Sequence, residues 1–347
     1  MKLRSLFILL FVVPVLIYPQ SGHEVKIAAV GDIMMGTLYP DSSTLPAKGS
    51  YHLFQPLIHA LKDADITFGN LEGTLTNDTS QAKSCKNKDR CYYFAMPVSY
   101  AKSLQHAGFD FISLANNHIN DFGYKGKLST KKSLRKYNIK YAGLSEHPVD
   151  TIIRNGIRYG FCAFSPNAGT TNIKNLKKAI SIISHLDSLC DIVIVSFHAG
   201  GEGTDFQHVT RETEFYIGEN RGNVYEFAHK IIDAGGDVLL GHGPHVVRGV
   251  EIYHNKFISY SMGNFLTYSC VNVAGICGVA PLFHIYTDNK GNFLKAQIIS
   301  TYQKKFQAPK IDKKNKAGNL IRQLTFTDFP EMKKIITITD DGWINKL

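Results

Sequence analysis

The stretch Asp237-Val238-Leu239-Leu240-Gly241-His242-Gly243-Pro244-His245 places two histidines directly after a largely apolar run. The run 237–240 predicts a buried parallel strand, and open α/β sheets bind ligands at the edge where such strands end. The two glycines and Pro244 allow a tight, stiff turn that points both imidazoles into one space. Such a pair suits a borderline metal ion. A histidine of an isolated G-H-x-x-H can equally be a structural or surface residue.

The same pattern occurs at four other places, each an apolar run that stops at polar residues. The runs are 25–30, 65–68, 111–114 and 192–196. Because the carboxyl ends of parallel strands meet at one edge of a sheet, we expect the polar side chains to lie together. Two carboxylates, three imidazoles and amide oxygens suit a pair of divalent ions such as Zn, Mn or Fe. The candidate metal ligands are Asp32, Asn70, Glu72, Asn117, His198, His242 and His245.

His118 ends the third of these runs and is left for acid–base chemistry. Asp121 follows three residues later and can accept the second N–H of that histidine, which fixes its tautomer. Each residue alone has a structural explanation as well: Asp32 could cap a helix, and Asn117 and His118 could form a turn. Their shared position at strand ends favours the functional interpretation.

The order of predicted elements indicates an α/β fold. Helical segments at 52–63, 97–107, 124–137, 174–189 and 211–235 alternate with the strands, which is typical of βαβ units and a largely parallel sheet. From about residue 246 the runs 248–253, 256–260 and 282–286 predict antiparallel hairpins. A second sheet stacked on the first, with helices outside, would bury both. We therefore expect one domain over residues 23–303 and a polar, peripheral C-terminal extension over 304–347.

Composition and charge limit the partners of the chain. The 347 residues are 44% hydrophobic and 20% charged, as in an ordinary globular protein, and the formal net charge is +10. This charge would attract a polyacid, a phosphate compound or an acidic membrane surface, or it is simply a solvated basic surface. Aromatic residues do not interleave with the lysines, so the sequence argues against nucleic acid.

The N-terminus predicts export. Lys2 and Arg4 precede an apolar run over residues 6–18, which is shorter than the ~20 residues that span a bilayer. We therefore predict a signal peptide over residues 1–22 and a protein outside the cytoplasm. The small-residue cleavage pattern is poor, which leaves an uncleaved membrane anchor as the alternative.

The six cysteines fit an oxidising compartment. We predict two local disulfides, Cys85–Cys91 and Cys270–Cys277, each closing a short polar loop. Metal binding is the alternative, although neither pair has C-x-x-C spacing. Cys162 and Cys190 lie in apolar surroundings and are predicted to be buried free thiols.

Six motifs in order make the resemblance to a known family specific. They are Gly31-Asp32-Ile33-Met34, Gly69-Asn70-Leu71-Glu72, Ala115-Asn116-Asn117-His118 with Asp121, Phe197-His198-Ala199-Gly200-Gly201-Glu202, Gly241-His242-Gly243-Pro244-His245 and Ser261-Met262-Gly263-Asn264-Phe265. The chain resembles the CapA family of poly-gamma-glutamate capsule biosynthesis proteins, within the calcineurin-like metallophosphoesterase superfamily. The resemblance implies a four-layer α/β/β/α sandwich of two mixed sheets, a two-metal site at the strand ends, and a location at or beyond the outer face of the cytoplasmic membrane.

The motifs also depart from those of well-characterised phosphoesterases. Met34 stands where those enzymes have a histidine, and Asn70 stands where they have a bridging aspartate. Glu72 is expected to take over the bridging role. The resemblance implies a two-metal hydrolase or transferase acting on poly-gamma-glutamate, a similar anionic polymer or a phosphoester, beside membrane-bound capsule synthesis proteins. The alternative is a non-catalytic subunit that binds the polymer or assembles the export machinery.

Overall fold

The fold consists of two β-sheets packed face to face, with helices on their outer faces. The computed structural model describes residues 24–85 and 91–347. The predicted signal peptide or anchor, residues 1–22, lies outside the described residues. In the part of the chain that is described, no helix is both long and apolar enough to cross a bilayer.

The strands and helices follow one another along the whole described chain. The strands are β1 (Val25–Met34), β2 (Ile66–Leu71), β3 (Thr74–Leu75), β4 (Ala95–Met96), β5 (Phe111–Ser113), β6 (Lys140–Ala142), β7 (Val149–Arg154), β8 (Ile157–Phe164), β9 (Ile192–His198), β10 (Glu214–Tyr216), β11 (Glu219–Gly222), β12 (Val238–His242), β13 (Val250–Tyr253), β14 (Lys256–Ser259), β15 (Asn264–Thr267), β16 (Val279–Thr287), β17 (Phe293–Tyr302), β18 (Lys310–Ile311), β19 (Ile336–Ile338) and β20 (Trp343–Lys346). The α-helices are α1 (Ile58–Lys62), α2 (Ala101–Ala107), α3 (Gly123–Lys136), α4 (Leu176–Asp187), α5 (Val224–Asp233) and α6 (Lys316–Asp328).

Both sheets are mixed. The larger sheet has the order β19-β20-β17-β16-β1-β2-β5-β6, with β15 paired to β1 and β18 to β17. The smaller sheet has the order β13-β14-β12-β9-β8-β7. The two-stranded pairs β3–β4 and β10–β11 stand apart from both.

Alternate side chains of β1 face opposite layers, as the pleat of a strand requires. Ile27 and Ala29 belong to the core between the sheets, where Phe68 of the larger sheet meets Phe161 of the smaller with ring centroids 5.5 Å apart. Val30 belongs to a second core beneath α1, α2 and α3. Helices α4 and α5 pack on the outer face of the smaller sheet. The predicted four-layer α/β/β/α sandwich of two mixed sheets is confirmed.

The strands that carry the candidate ligands divide between the sheets. We expected one parallel sheet followed by an antiparallel one. Instead β1, β2 and β5 are parallel neighbours in the larger sheet, and β9 and β12 are parallel neighbours in the smaller. The predicted hairpin β13–β14 is present, yet it extends the smaller sheet beside β12. Apolar runs predict buried strands well, but they do not say which sheet a strand joins.

The predicted helix over 211–235 is wrong in its first half, where the hairpin β10–β11 is found instead. Ile217 and Gly218 at its tip have φ of 49° and 76°, which a helix does not accommodate. Glu214 of β10 forms a buried, two-pronged ion pair with Arg248, at 2.8 and 2.7 Å. This long-range pair fixes the hairpin, and local sequence patterns cannot reveal it.

The expectation that residues 304–347 are peripheral is also wrong. Strand β20 pairs with β17 of the larger sheet, and α6 packs against β16, β17 and β13. Ile321 and Ile344 are fully buried in the core between the sheets. The apolar residues of this segment are sparse among polar ones, which makes the segment look weakly patterned in the sequence.

The cysteines only partly follow the prediction. Cys85 and Cys91 form a disulfide, as predicted. Cys270 and Cys277 are free thiols, so the second predicted disulfide is wrong. Their sulfurs have separate neighbours, Ser269 Oγ at 3.5 Å and Asn272 Nδ2 at 3.8 Å. Of the two remaining cysteines, both free, Cys162 is buried and Cys190 is half-buried.

Candidate metal centre

The candidate residues meet where the carboxyl ends of the two sheets come together. In the larger sheet Asp32 of β1 lies opposite Asn70 of β2, and β1 has a β-bulge beside Asp32. In the smaller sheet His242 of β12 lies opposite His198 of β9. Bulges re-aim side chains next to functional sites. The two pairs reach one another across the sandwich through the hydrogen bond between Asp32 and His242.

Asp32 is the hydrogen-bonding hub of the site. Its Oδ1 accepts from His242 Nδ1 at 3.0 Å and from Asn70 Nδ2 at 2.9 Å, and its Oδ2 accepts from His245 Nδ1 at 3.0 Å. Complete burial acts to raise the pKa of Asp32, but the hydrogen bonds and charges of the two histidines outweigh it and hold the pKa well below its ordinary value. An ionised Asp32 keeps the ring protons on Nδ1, which leaves both Nε2 atoms available to a metal.

Glu72 lies opposite this hub and is buried without a hydrogen bond in the described part of the chain. The side chain is 2% exposed, and neither oxygen has a hydrogen-bond partner among the described residues. Its Oε1 is 3.5 Å from both His198 Nε2 and His245 Nε2. Burial raises the pKa of Glu72 to about 7. Burial acts to lower the pKa of His245, but the charges of Glu72 and Asp32 and the hydrogen bond to Asp32 raise it to about 10. A metal ion at Nε2 of His245 would therefore have to displace the proton held there.

The donor set fits divalent metal ions. Asp32, Glu72 and His245 each place one ligand atom within 4.8 Å of the others. Both ring nitrogens of His198, His242 Nε2 and Asn117 Oδ1 are buried without a hydrogen-bond partner in residues 24–85 and 91–347. Burial lowers the pKa of His198 to about 3, so its imidazole is neutral, as a metal ligand must be. Buried polar atoms without partners are rare in proteins, and a bound cation would satisfy this cluster.

Asn70, predicted as a ligand, is engaged at both ends of its amide. Its Nδ2 donates to Asp32, and its Oδ1 accepts from Asn116 Nδ2 at 3.2 Å. Asn116, which the sequence does not single out as a site residue, also donates to the Leu71 carbonyl and accepts from the backbone N–H of His118. The two asparagines therefore position Asp32 and His118.

His118 and Asp121 form the expected contact, while the acid–base role of His118 stays a prediction. His118 Nδ1 lies 2.8 Å from Asp121 Oδ2, and its ring stacks on Phe94 with centroids 4.1 Å apart. Asp121 also accepts from Lys83 Nζ at 2.6 Å and from the backbone N–H of Phe94 at 2.8 Å. His118 Nε2 is 3.9 Å from Glu72 Oε1. The ring is thus fixed at Nδ1 and presents Nε2 to the centre.

The turn after β12 has the tight geometry that its glycines predicted. Gly243 has a φ of 115°, and a Cβ there would lie 2.7 Å from the carbonyl oxygen of Ala199. A Cβ on Gly241 would lie 2.3 Å from the carbonyl oxygen of Tyr260. Side chains at either position would push β12 away from its neighbours, and His242 and His245 would separate.

The centre opens into a cleft of about 900 Å³. His118, His245 and Asn117 lie on its wall, together with Glu202 and Arg221. Arg221 Nη2 contacts Glu202 Oε1 at 2.8 Å, and its Nε has no hydrogen-bond partner among the described residues. Arg221 is absent from the predicted site because the sequence pattern of its hairpin predicts a helix.

Residues 26–269 match the family described as "Bacterial capsule synthesis protein PGA_cap". The chain belongs to the PGA_cap family. Two proteins similar to the chain carry the name CapA, the family that the sequence motifs resemble.

The relatives are similar over most of this PGA_cap chain. The "Capsule biosynthesis protein CapA" of Bacillus anthracis is 26% identical over 266 residues, covering 71% of this chain and 61% of that protein. The "PGA biosynthesis protein CapA" of Bacillus subtilis is 28% identical over 262 residues, covering 71% and 64%. The matches thus span less than two thirds of either relative. Among solved structures, the NAD nucleotidase of Haemophilus influenzae has a TM-score of 0.41 at 12% identity, covering 87% of this chain and 56% of that one.

Proposed function

We propose that this PGA_cap protein is an exported, metal-dependent hydrolase or transferase that acts on poly-gamma-glutamate, a similar anionic polymer or a phosphoester in capsule synthesis. One observation carries the proposal: a buried cluster of carboxylate oxygens and imidazole nitrogens, at the wall of an open cleft, has no partners among the described residues. The names of the two CapA relatives support a role in capsule and polyglutamate synthesis. Export rests on the predicted signal peptide, and membrane-bound capsule synthesis proteins are the proposed partners.

We propose that two divalent ions, Zn, Mn or Fe, occupy the centre. The ligands would be the carboxylates and imidazoles of both sheets with the amide oxygen of Asn117, and Glu72 would be shared: Asp32, Glu72, Asn117, His198, His242 and His245. Bound metal would polarise an acyl or phosphoryl oxygen of the substrate. His118 would deliver a proton from Nε2 to the leaving group, while Asp121 holds the opposite side of its ring.

The second candidate function is a polymer-binding or assembly subunit without catalysis. Asn70 favours it, because a neutral amide replaces a bridging carboxylate and both ends of that amide are already hydrogen-bonded. Without a bridging carboxylate at position 70, the centre would bind a second metal ion more weakly.

The deciding experiment measures metal content and turnover in the same purified sample. The protein is reconstituted in turn with Zn, Mn and Fe and incubated with poly-gamma-glutamate and with a generic phosphodiester. Turnover that stops on chelation and returns with metal supports the enzyme. One or more equivalents of bound metal without turnover of either substrate would favour the assembly subunit. Less than about a tenth of an equivalent of any metal would contradict the metal centre itself.

A further inference from the structure

Helix α3 carries a basic groove outside the metal centre. Residues 123–136 include six lysines and arginines and no acidic residue. Three of them, Lys125, Lys132 and Lys136, line a groove of about 640 Å³ whose facing wall includes Thr76, Asn77 and Asp78. Lysines and polar side chains, with Val98, Leu128 and Tyr137 between them, thus line a concave surface that the proposed chemistry leaves unused.

The positive charge of this groove is largely uncompensated. Lys125 Nζ lies 3.1 Å from Asp78, which is the acidic residue of the facing wall. Lys132 and Lys136 are exposed and make no ion pair within residues 24–85 and 91–347, although Lys136 lies over the ring of Tyr137 at 5.8 Å. Like charges held along one wall attract a polyanion and release counterions when it binds.

We propose that this groove binds an extended polycarboxylate chain along α3. That the chain is poly-gamma-glutamate rests on the proposed function. Lys125 and Lys136 are eleven residues apart, so at ~1.5 Å per helical residue they are separated by about 16 Å. A γ-linked glutamate contributes five backbone bonds instead of the three of an α-linked residue, so that length matches about three extended residues of the polymer. Several carboxylates of one polymer therefore face the three lysines at once.

One end of the groove lies near the metal centre along the chain. Helix α3 begins two residues after Asp121. The facing wall continues from Asp78 to Gln81, whose side chain accepts from the backbone N–H of Lys125 at 3.1 Å, and then to Lys83, which binds Asp121 at 2.6 Å. The end of the groove at Lys125 thus lies next to the His118–Asp121 pair. A polymer in the groove would direct one end toward the cleft.

The shape of the surface favours a chain over a membrane. Ser129 and Ser133 lie between the lysines inside the groove, so part of the basic surface is recessed. A flat bilayer surface does not enter such a recess, whereas a single extended chain does. An anionic membrane is therefore the competing occupant in the test.

The test is a charge reversal with a matched control. K132E/K136E reverses two exposed lysines of the groove, and K177E/K178E reverses two exposed lysines of α4 on the opposite outer layer. Binding of fluorescent poly-gamma-glutamate of about twenty residues is measured by anisotropy, with chelator present. We expect the groove variant to bind at least tenfold more weakly and the control to remain within about twofold. Added salt should weaken wild-type binding more than that of the groove variant.

Several outcomes would overturn the proposal. They are absence of wild-type binding, equal weakening by both variants, or binding that survives K132E/K136E but is lost in His242→Ala. If K132E/K136E no longer binds anionic phosphatidylglycerol vesicles but still binds the polymer as the wild type does, the groove would instead be a membrane-binding surface. Because the polymer assay is run without metal, it can succeed where metal content or turnover fails, so the two proposals are tested separately. Circular dichroism confirms that both variants are folded.

Discussion

His118 and His242 belong to the same candidate site but differ in the atoms that hold them. His118 is fixed through Nδ1 by Asp121, outside the donor cluster, whereas His242 is fixed by Asp32 and its Nε2 has no partner among the described residues. We expect His118→Ala to lower turnover about 10²–10⁴-fold with metal content unchanged, as for loss of a general acid. His242→Ala should lower both. Metal analysis and an activity assay on the same samples give the answer, and His118 would be a ligand if its variant lost metal equally.

His284 on β16, outside the metal centre, should make the free energy of unfolding depend on pH. Its Nε2–H donates to the Ala60 carbonyl at 2.7 Å, and burial lowers the pKa of the imidazole below 6.5. The unfolded state therefore binds the proton first, and stability present above pH 6.5 is lost as the pH falls toward the folded-state pKa. In His284→Gln the free energy of unfolding should fall less between pH 7.5 and 5.5 than in the wild type.

Urea titrations at several pH values measure this slope. The exposed His185→Gln serves as the matched control and should keep the wild-type curve. If His284→Gln and the wild type lose the same stability across this range, protonation of His284 does not contribute to acid unfolding.

At the scale of elements, the disulfide fixes one wall of the cleft. Cys85–Cys91 closes the loop that follows Lys83, and Lys83 donates a hydrogen bond to Asp121. Loop closure of this length contributes about 2 kcal/mol in the chain-entropy model. We expect Cys85→Ser/Cys91→Ser to lower the free energy of unfolding by about that amount.

Thiol titration in denaturant tests the cysteine assignment as a whole. Without reductant, four thiols should react, because Cys162, Cys190, Cys270 and Cys277 are free. With reductant, all six should react. Two reactive thiols without reductant would instead show that Cys270 and Cys277 are paired.

The C-terminal segment makes a prediction that its sequence pattern alone did not suggest. Ile321 of α6 is fully buried in the core between the sheets, whereas Ile311 of the same segment is 51% exposed. Ile321→Ala should lower the free energy of unfolding by about 2–5 kcal/mol. Ile311→Ala, the matched control, should change it by less than about 0.5 kcal/mol. Similar values for both variants in denaturant titrations would mean that α6 does not stabilise the core.

The sequence predicted elements better than it predicted their long-range partners. The apolar runs before Asp32, His118 and His198 each proved to be strands, because burial on both faces selects apolar residues. The hairpin β10–β11 was missed because Arg248, more than thirty residues from Glu214, anchors it. Arg221 was missed with it. Such contacts depend on tertiary structure, which local propensity does not encode.

For the whole molecule, sequence patterns likewise do not show which layer of the sandwich each strand joins. Six motifs indicated one site, and the structure does bring Asp32, Glu72, His198 and His242 together. The pattern of runs could not show that the first two come from one sheet and the last two from the other. The separation matters, because neither sheet alone presents a complete donor set.

A metal bound at this centre would therefore join the two sheets. Asp32 on β1 and Glu72 directly after β2 belong to the larger sheet, and His198 and His242 belong to the smaller. An ion present at a thousandfold excess over its dissociation constant stabilises the folded state by about 4 kcal/mol. For a chain of this size we expect the melting temperature to rise by about 6 °C over that of the chelated protein.

The matched control carries His198→Ala, His242→Ala and His245→Ala together, which removes the imidazole ligands of the smaller sheet and leaves the ligands of the larger sheet in place. Calorimetry of both proteins with chelator and with saturating Zn, Mn or Fe measures the shift. The melting temperature of the variant should shift little or not at all, because an ion held by the larger sheet alone does not connect the two sheets. An equal shift in both proteins would show that the stabilising ions bind elsewhere, and the two-sheet centre would have to be abandoned.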